Sequence, residues 1–600
     1  MRLILQFFKP IHAHPHHASS GSAAFVHVAV PTRHLFLKLI NYNPMKKIWQ
    51  VALGLILVSS VANAQAPENW FNLDFQKDGV RGVSTERMYA ELLKGRPAQT
   101  VIVAVIDSGV DVNHEDLKSV MWVNPKEIAG DGLDNDGNGY VDDVHGWNFI
   151  GGKDGQNVHH DNTEVARVVA LLRGKCAKAD PKTLTGTDKT DCERYEVAKA
   201  ELTSKKNEAQ TNLGQYTMLK NMVGSAVTAL GKELNGKAPT PENVNAIQSS
   251  NQMLGMAVNI VNSLAENGKT FATVDELKTF LVAEVQDGLD TFDAQVKYWY
   301  NPDYDPRGTV GDNYPNWRER FYGNNDYQGP DAHHGTHVAG IIGASRTNDL
   351  GIKGVADNVR IMTLRAVPDG DERDKDVANA ILYAVDHGAK VINMSFGKSH
   401  SPYKEAVDAA IRYAESKDVL IIHAAGNDNE DNDATEHFPV EWFGPEGTQN
   451  RTARAKNLIE VGALNWADGR EALAPFSNYG KTEVDVFAPG VDIHSTVPGN
   501  GTYKDESGTS MAAPVTAGVA AVLRSYFPKM TALDVKNVLL NSSVKLKDPV
   551  LKPGSEDEVV PLAELCVTGG VVNAYEAVKM ALNMAKQPVK PIKKPKKPRG

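Results

Sequence analysis

Cysteine is scarce in this sequence: the 600-residue chain contains three. Three cysteines are too few for a disulfide-stapled small domain or for an array of zinc sites. The chain also lacks any run of 18 or more apolar residues, which excludes an obvious membrane-spanning helix. Positive charge is not in excess, since 64 Lys and Arg face 74 Asp and Glu and give a net charge of −10. This balance disfavours a nucleic-acid partner held by bulk charge.

Acidic residues are absent from the first 64 positions. Within them, residues 45–64 are typical of a secretory signal peptide, with two lysines, an apolar run and the small residues Ala62-Asn63-Ala64. We expect cleavage after Ala64, export to the periplasm or the extracellular space, and no membrane span once the signal is removed. Residues 1–44 are then interpreted as a misassigned upstream segment, with translation starting at Met45.

The rest of the chain divides into four segments that differ in their sequence pattern. Residues 65–159 contain a continuous β-branched run, VIVAVI, that predicts a strand buried on both faces. Residues 160–300 have helical patterns without a persistent heptad, so they predict an all-α insertion. From 301 to 585 apolar strands alternate with helices, which predicts an α/β fold with a doubly wound parallel sheet flanked by helices. Residues 586–600 have seven basic residues and four prolines, which indicate an extended basic tail.

The expected elements follow from these patterns. The expected strands are 101–106, 360–364, 390–394, 419–424 and 458–463, and the expected helices are 84–94, 163–173, 193–234, 241–267, 274–298, 374–387 and 402–417. No internal repeat of 20–50 residues is apparent.

Three segments carry residue types that together perform nucleophilic acyl transfer. Asp107 ends the VIVAVI strand, His334 opens a helix of small residues, and Ser510 begins another such helix. A serine hydroxyl needs an adjacent imidazole to take its proton, and a carboxylate fixes the imidazole tautomer. The start of a helix also places free N–H groups where negative charge develops.

These segments, VIDSGVDVNHEDL, HHGTHVAGIIGA and SGTSMAAPVTAGVAAVL, resemble the Asp, His and Ser motifs of the subtilisin-like serine peptidases, in that family's chain order. The resemblance covers roughly 98–150 and 325–585. It implies a Ser-His-Asp triad of Asp107, His334 and Ser510, with Asn427 as the side-chain donor to the oxyanion. His333 and His337 are not carried over, and His337 is expected to be a packed structural histidine.

The resemblance further implies residues that bind the substrate, and no cofactor for catalysis. One strand of the enzyme, called the substrate strand below, pairs with the backbone of the substrate. Small residues form one wall of the pocket for the residue before the scissile bond. The substrate-binding residues are Ser395, Phe396 and Gly397 in the strand and Ala424, Ala425 and Gly426 in the wall. Small walls suggest an open pocket for a large apolar side chain.

One acidic loop suggests a metal. In DGLDNDGNGYVDD, Asp134, Asp136 and Asn138 alternate like the start of a calcium loop, although His145 stands where an EF-hand needs Glu. Structural calcium is common among the proteins that the chain resembles, and the alternative is a polar loop of Asx turns. In an exported protein Cys176 and Cys192 suit a disulfide that closes a short loop, which leaves Cys566 as a buried free thiol.

The expected function is that of an exported serine endopeptidase that degrades or processes protein or peptide substrates. The helical insertion either gates substrate or docks a regulatory partner, or it is a peripheral decoration. Two rivals stay open: a binding protein that kept the fold without activity, and a maturation enzyme that cuts one partner site. The region from Gln65 to Asp107 is shorter than the inhibitory propeptide common in the family, so activation through such a propeptide is in doubt.

Overall fold

A computed structural model describes residues 66–180, 183–266 and 268–586 of the chain. The segment interpreted as upstream, the expected signal peptide and residues 587–600 of the basic tail lie outside the described residues. Among the helices that are described, none combines the length and the apolar character that a membrane crossing requires.

The β-branched run forms the strand β1 (Val101–Asp107) near the middle of a large sheet. Within the described residues nine strands form this sheet, in the order β12-β15-β9-β8-β5-β4-β1-β3-β2, and all neighbours are parallel except β12 and β15. The other members are β2 (Gly146–Asn148), β3 (Val359–Arg365), β4 (Val391–Met394), β5 (Leu420–Ala424), β8 (Leu458–Leu464), β9 (Val486–Pro489), β12 (Val544–Lys545) and β15 (Gly570–Val571). Short antiparallel pairs are β6 (Trp442–Phe443) with β7 (Ala453–Arg454), β10 (Ile493–Thr496) with β11 (Tyr503–Glu506), and β13 (Val550–Leu551) with β14 (Val559–Val560).

Both faces of the sheet are covered, as the continuous apolar run predicts. Val103 and Val105 of β1 belong to one buried cluster, while Ala104 and Ile106 belong to another. The first cluster includes residues of helices α8 (His333–Gly343), α11 (Thr509–Tyr526), α12 (Ala532–Asn541) and α13 (Ala574–Lys586), and the second those of α9 (Asp374–Asp386) and α10 (Lys404–Ser416). The expected doubly wound α/β sheet is confirmed.

The N-terminal and inserted regions are helical. Short helices α1 (Phe75–Asp78) and α2 (Thr85–Met88) precede β1, and a π-helical turn (Tyr89–Leu93) follows α2. The inserted helices are α3 (Glu164–Cys176), α4 (Gly186–Leu234), α5 (Pro241–Asn245), α6 (Gln252–Glu266) and α7 (Val274–Ala294), which continues into a π-helical turn (Gln295–Trp299).

The single helix expected over 241–267 is wrong, because it is divided between α5 and α6. Polar side chains in the gap bond to the backbone: Asn251 N–H donates to Ser249 Oγ at 3.1 Å, and Met253 N–H donates to Asn251 Oδ1 at 2.9 Å. Such local bonds compete with helical ones and favour a new helix start. The chain forms two compact units, residues 223–286 and the remainder of the described chain. Residues 160–222 and 287–300 of the insertion, where described, therefore belong to the larger unit.

Candidate active site

The carboxyl edge of the parallel sheet gathers the residues that the motifs singled out. Asp107 is the last residue of β1, and β4 and β5 end just before Ser395 and Ala425. His334 and Ser510 lie in the first turns of α8 and α11. Open parallel sheets bind ligands at this edge, which makes it the candidate site.

Asp107 and His334 form a close pair. Asp107 Oδ1 lies 2.7 Å from His334 Nδ1 and also accepts a hydrogen bond from Ser108 N–H at 2.8 Å. The glycine that follows His334 permits this approach: a Cβ on Gly335 would lie 2.1 Å from the carbonyl oxygen of Gly109 and 3.1 Å from Asp107 Oδ1. The carboxylate is 3% exposed and the imidazole 37%, so the ring is partly open to solvent.

Electrostatics favour the protonated form of this imidazole. Burial opposes the positive charge, but the Asp107 carboxylate, by attraction and by hydrogen bonding, raises the pKa of His334 to about 9. Glu506 and Asp331 act in the same direction. Because the Asp107 contact occupies Nδ1, Nε2 is the nitrogen left to exchange a proton with a reacting group.

Ser510 lies beside the residues that follow β4. Its Oγ donates to the Ser395 carbonyl at 3.1 Å, and Ser395 Oγ donates to the Ser510 carbonyl at 2.9 Å. Asn393 Nδ2 supports the pair by donating to Ser395 Oγ at 2.9 Å. Within the described residues no hydrogen bond joins His334 and Ser510. Catalytic hydrogen bonds are commonly formed only when substrate is bound.

Asn427 is held in an orientation that leaves its amide hydrogens available. Its Oδ1 accepts from Thr509 N–H at 2.8 Å and from Thr509 Oγ1 at 3.1 Å. A Cβ on Gly508 would lie 3.5 Å from Ser510 N and 3.6 Å from Asn427 Nδ2. Two N–H donors therefore border the same small space next to the serine, which is the arrangement that stabilises an oxyanion.

A buried pair, His423 and Glu460, contacts the backbone of the expected substrate strand. His423 Nε2 lies 2.7 Å from the Phe396 carbonyl, and His423 Nδ1 lies 2.9 Å from Glu460 Oε2. Burial lowers the pKa of His423 to about 4 and raises the pKa of Glu460 well above its usual range. Both shifts favour the neutral form of the group concerned. In that state the imidazole donates to the Phe396 carbonyl, and the protonated carboxyl donates to Nδ1.

His437 was not singled out by any motif, yet it lies between the two expected substrate-binding segments. A Cβ on Gly397 would lie 2.1 Å from its ring, and a Cβ on Gly426 3.0 Å from its Nε2. Its Nδ1 is buried and has no hydrogen-bond partner among the described residues, and burial lowers the pKa of His437 to about 4. Ala424 and Ala425 are buried, and their methyl groups pack in the core.

The acidic loop gathers two of its three predicted residues. Glu127, Asp134 and Asp136 have oxygens within 4.8 Å of one another. Asn138 instead closes an Asx turn, since its Oδ1 accepts from Tyr140 N–H at 2.7 Å, and its Nδ2 donates to Asp143 at 2.9 Å. Carboxylate oxygens suit a hard cation such as Ca²⁺. Glu127 lay outside the alternating motif, and no spacing rule indicated it.

Two neighbouring histidines have partners of their own. His337 Nε2 lies 3.0 Å from the carbonyls of Ile493 and Lys504, and burial lowers the pKa of His337 to about 4. His333 Nε2 lies 2.6 Å from Glu506 Oε1. His337 is thus the packed histidine that the sequence indicated.

The insertion contacts the chain just after the expected substrate strand. Glu201 of α4 has Oε2 3.0 Å from His400 Nε2, and its Oε1 accepts from Ser399 Oγ at 3.3 Å. Cys176 and Cys192 form a disulfide, which joins the end of α3 to α4. Cys566 is a buried free thiol, and burial raises its pKa.

The chain is similar to known proteins over the part that carries these motifs. The model of the subtilase family matches residues 98–555. A thermophilic serine proteinase from Bacillus sp. (strain AK1) is 44% identical over 203 residues, which cover 34% of this chain and 45% of that protein. Subtilisin DY from Bacillus licheniformis is 36% identical over 221 residues, covering 36% and 72%. A cell wall-associated protease from Bacillus subtilis (strain 168) is 33% identical over 294 residues, covering 49% and 29%. The chain therefore spans less than two thirds of the first and third of these relatives.

Proposed function

Since the chain belongs to the subtilase family of serine-type endopeptidases, we propose that it is an exported protease that hydrolyses peptide bonds through Asp107, His334 and Ser510. The observation that carries the proposal is the 2.7 Å contact between Asp107 and His334 at the carboxyl edge of the sheet, where Ser510 and Asn427 also lie. Acid, imidazole, hydroxyl and oxyanion donors are then present on one edge of a rigid scaffold.

The proposed reaction has two halves. A rotation about χ1 of Ser510 turns Oγ from the Ser395 carbonyl toward His334, whose neutral Nε2 takes the hydroxyl proton as Oγ attacks the peptide carbonyl. Asn427 Nδ2 and Ser510 N–H donate to the oxyanion, and Asp107 stabilises the imidazolium. His334 then protonates the leaving amine, and a water molecule hydrolyses the acyl-enzyme by the same route.

The substrate is proposed to lie along Ser395, Phe396 and Gly397 as an added strand. The pocket for the residue before the scissile bond would be bordered by Gly426 and by the backbone of Ala424 and Ala425. His437 occupies space between these segments, so we propose a shallower pocket than small walls alone would give. Replacing His437 by glycine would shift preference toward larger side chains before the scissile bond.

A calcium ion is proposed for the acidic loop, where Asp134 and Asp136 are joined by Glu127 rather than by the Asn138 side chain. These oxygens fit the ion's preference. Adding Ca²⁺ to chelator-treated protein is expected to raise its Tm, and Asp134→Asn is expected to remove the increase. An unchanged Tm in the parent protein would contradict the site.

Labelling of the serine tests the activity. A protein starting at Gln65 would be treated with a fluorophosphonate probe, which phosphonylates an activated serine with loss of fluoride, and its mass would be read beside Ser510→Ala. One probe mass, absent in the variant, is the expected result. An absence of labelling in folded protein, with and without Ca²⁺, would contradict the proposed site.

A second candidate function is maturation of one partner at one site. The contact between Glu201 and His400 favours it, because the inserted helix α4 lies beside the residues that follow the substrate strand. Docking of a regulatory partner on residues 160–300 would act through the same contact. Cleavage of a peptide library distinguishes the two: broad cleavage indicates a degradative enzyme, and a single sharp motif that broadens in Glu201→Ala indicates a processing one.

A further inference from the structure

The base of the insertion contains a cluster of side chains that the proposed peptidase mechanism does not use. His159 and His160 lie just before α3, and Asp369 lies in the loop after β3. One ligand atom from each of the three lies within 4.8 Å of the others. We propose that His159, His160 and Asp369 bind a divalent transition-metal ion, Zn²⁺ foremost.

The donor set fits that ion and not calcium. Two imidazoles and one carboxylate suit zinc, whereas calcium takes oxygen ligands. In tetrahedral coordination with bonds of about 2.0–2.1 Å, neighbouring ligand atoms stand about 3.3 Å apart. To bind the ion, the His159 ring would turn out of its stack on His160, because two stacked rings cannot both direct an in-plane lone pair at one metal. His160 Nδ1 and Asp369 Oδ2, now in direct contact, would move apart to admit it. Three protein ligands leave the fourth position to water.

The surroundings orient two of the three ligands, Asp369 and His160. Trp299 Nε1 donates to Asp369 Oδ1 at 3.1 Å, which leaves Oδ2 toward His160, whose Nδ1 lies 2.5 Å away. The His160 ring stacks on Tyr298, with ring centroids 4.2 Å apart. His159 is exposed, so its ring has room to turn toward the ion. A carboxylate oriented by an outer N–H donor is a common arrangement around a metal.

The ion would fasten the insertion to the peptidase sheet. Thr163 N–H donates to the Trp299 carbonyl at 2.9 Å, so the first and last residues of the insertion are adjacent there. Asp369 N–H donates to the His159 carbonyl at 2.8 Å, which joins the same point to the loop after β3. A metal shared by His159, His160 and Asp369 would cross-link all of these segments.

Calorimetry with Zn²⁺ alone as titrant tests the proposal. The protein would carry Ser510→Ala to prevent self-digestion, and saturating Ca²⁺ would occupy the acidic loop. We expect one equivalent of Zn²⁺ to bind and to raise the Tm, because a ligand of the folded state stabilises it. Co²⁺ in its place should give the intense visible absorption of a four-coordinate ion.

Matched variants locate the ion. His159→Phe keeps the ring stacking of the metal-free protein and removes one ligand, and the His159 ring makes no hydrogen bond within the described residues. It should weaken Zn²⁺ binding by more than the about 10- to 100-fold expected for Trp299→Phe, which removes only the outer donor. Asp134→Asn in the acidic loop should leave Zn²⁺ binding unchanged.

Two results would overturn the proposal: no Zn²⁺ binding to the parent protein, or equal affinity in the parent and in His159→Phe. His159→Phe decides the question even where Asp369→Asn fails to fold. Because the readout is binding in a Ser510→Ala protein, it is independent of whether the proposed peptidase activity is found.

Discussion

Acylation of Ser510 is expected to accelerate steeply as the pH rises from 7 to 9. The reactive form of His334 is its neutral imidazole, and the Asp107 carboxylate raises the pKa of that imidazole to about 9 against the opposing effect of burial. At pH 7 about one molecule in a hundred then carries a neutral ring, and at pH 9 about one in two. The predicted gain over this interval is roughly 50-fold.

The assay is the second-order rate of fluorophosphonate labelling, measured by mass at each pH in one buffer series. Glu506→Gln is a matched comparison, because Glu506 also raises the His334 pKa without contacting the ring. It should move the midpoint toward acid by less than Asp107→Asn does. A wild-type midpoint at or below 6.5, the ordinary value for histidine, would refute the reasoning.

The pair of Asp107 and His334 also affects the stability of the fold, and this contribution falls with rising pH whereas the rate of acylation increases. The folded-state pKa of His334 is raised above the unfolded value of about 6.5, so the ion pair stabilises the fold fully below that pH. Its contribution is lost as the pH rises through about 9. Maximal acylation is therefore expected where this pair no longer stabilises the fold. Urea unfolding of His334→Ala and its parent at pH 6 and pH 10 measures the difference.

Three further predictions concern other residues. Asn427→Ala should lower the turnover number by about 10²–10³-fold, the range typical for loss of one oxyanion donor, with little change in KM in a steady-state peptide assay. Glu460→Ala should destabilise the fold by about 1–3 kcal/mol, because it leaves the buried His423 Nδ1 without a donor. Glu460→Gln should not destabilise the fold in this way, because its amide can still donate to His423 Nδ1. Equal denaturation midpoints for the two variants would contradict the neutral pairing. Replacing Cys176 and Cys192 by serine should cost roughly 3 kcal/mol of unfolding free energy by the loop-entropy argument, and an unchanged urea midpoint would argue against it.

Strands and motifs were predictable because their signals are local. The run from Val101 to Ile106 differs from β1 by one residue, since continuous β-branched residues specify a strand buried on both faces. Asp107 ends that strand, so a parallel sheet necessarily brings it to the edge where the other strands end. His334 and Ser510 begin helices whose small residues indicate close packing.

His437 and Glu127 were not predictable in the same way. His437 lies 40 positions after Gly397 in the sequence, and only the folded chain places its ring where Gly397 and Gly426 lack side chains. Glu127 reaches the acidic loop from outside the motif. The gap between α5 and α6 depends on side chains such as Asn251 that bond to the local backbone, a competition that apolar periodicity does not register.

The two long helices of the insertion, α4 and α7, contact each other at positions far in sequence from the residues that connect them. The ring of Tyr216 in α4 packs at a tilt against Phe292 of α7, with ring centroids 5.2 Å apart, and a Cβ on Gly288 would collide with the Tyr216 ring. The chain thus leaves and re-enters the larger unit within a few residues of this contact. A short turn or a foreign domain inserted in place of residues 223–286 is therefore expected to leave the contact between Tyr216 and Phe292 intact.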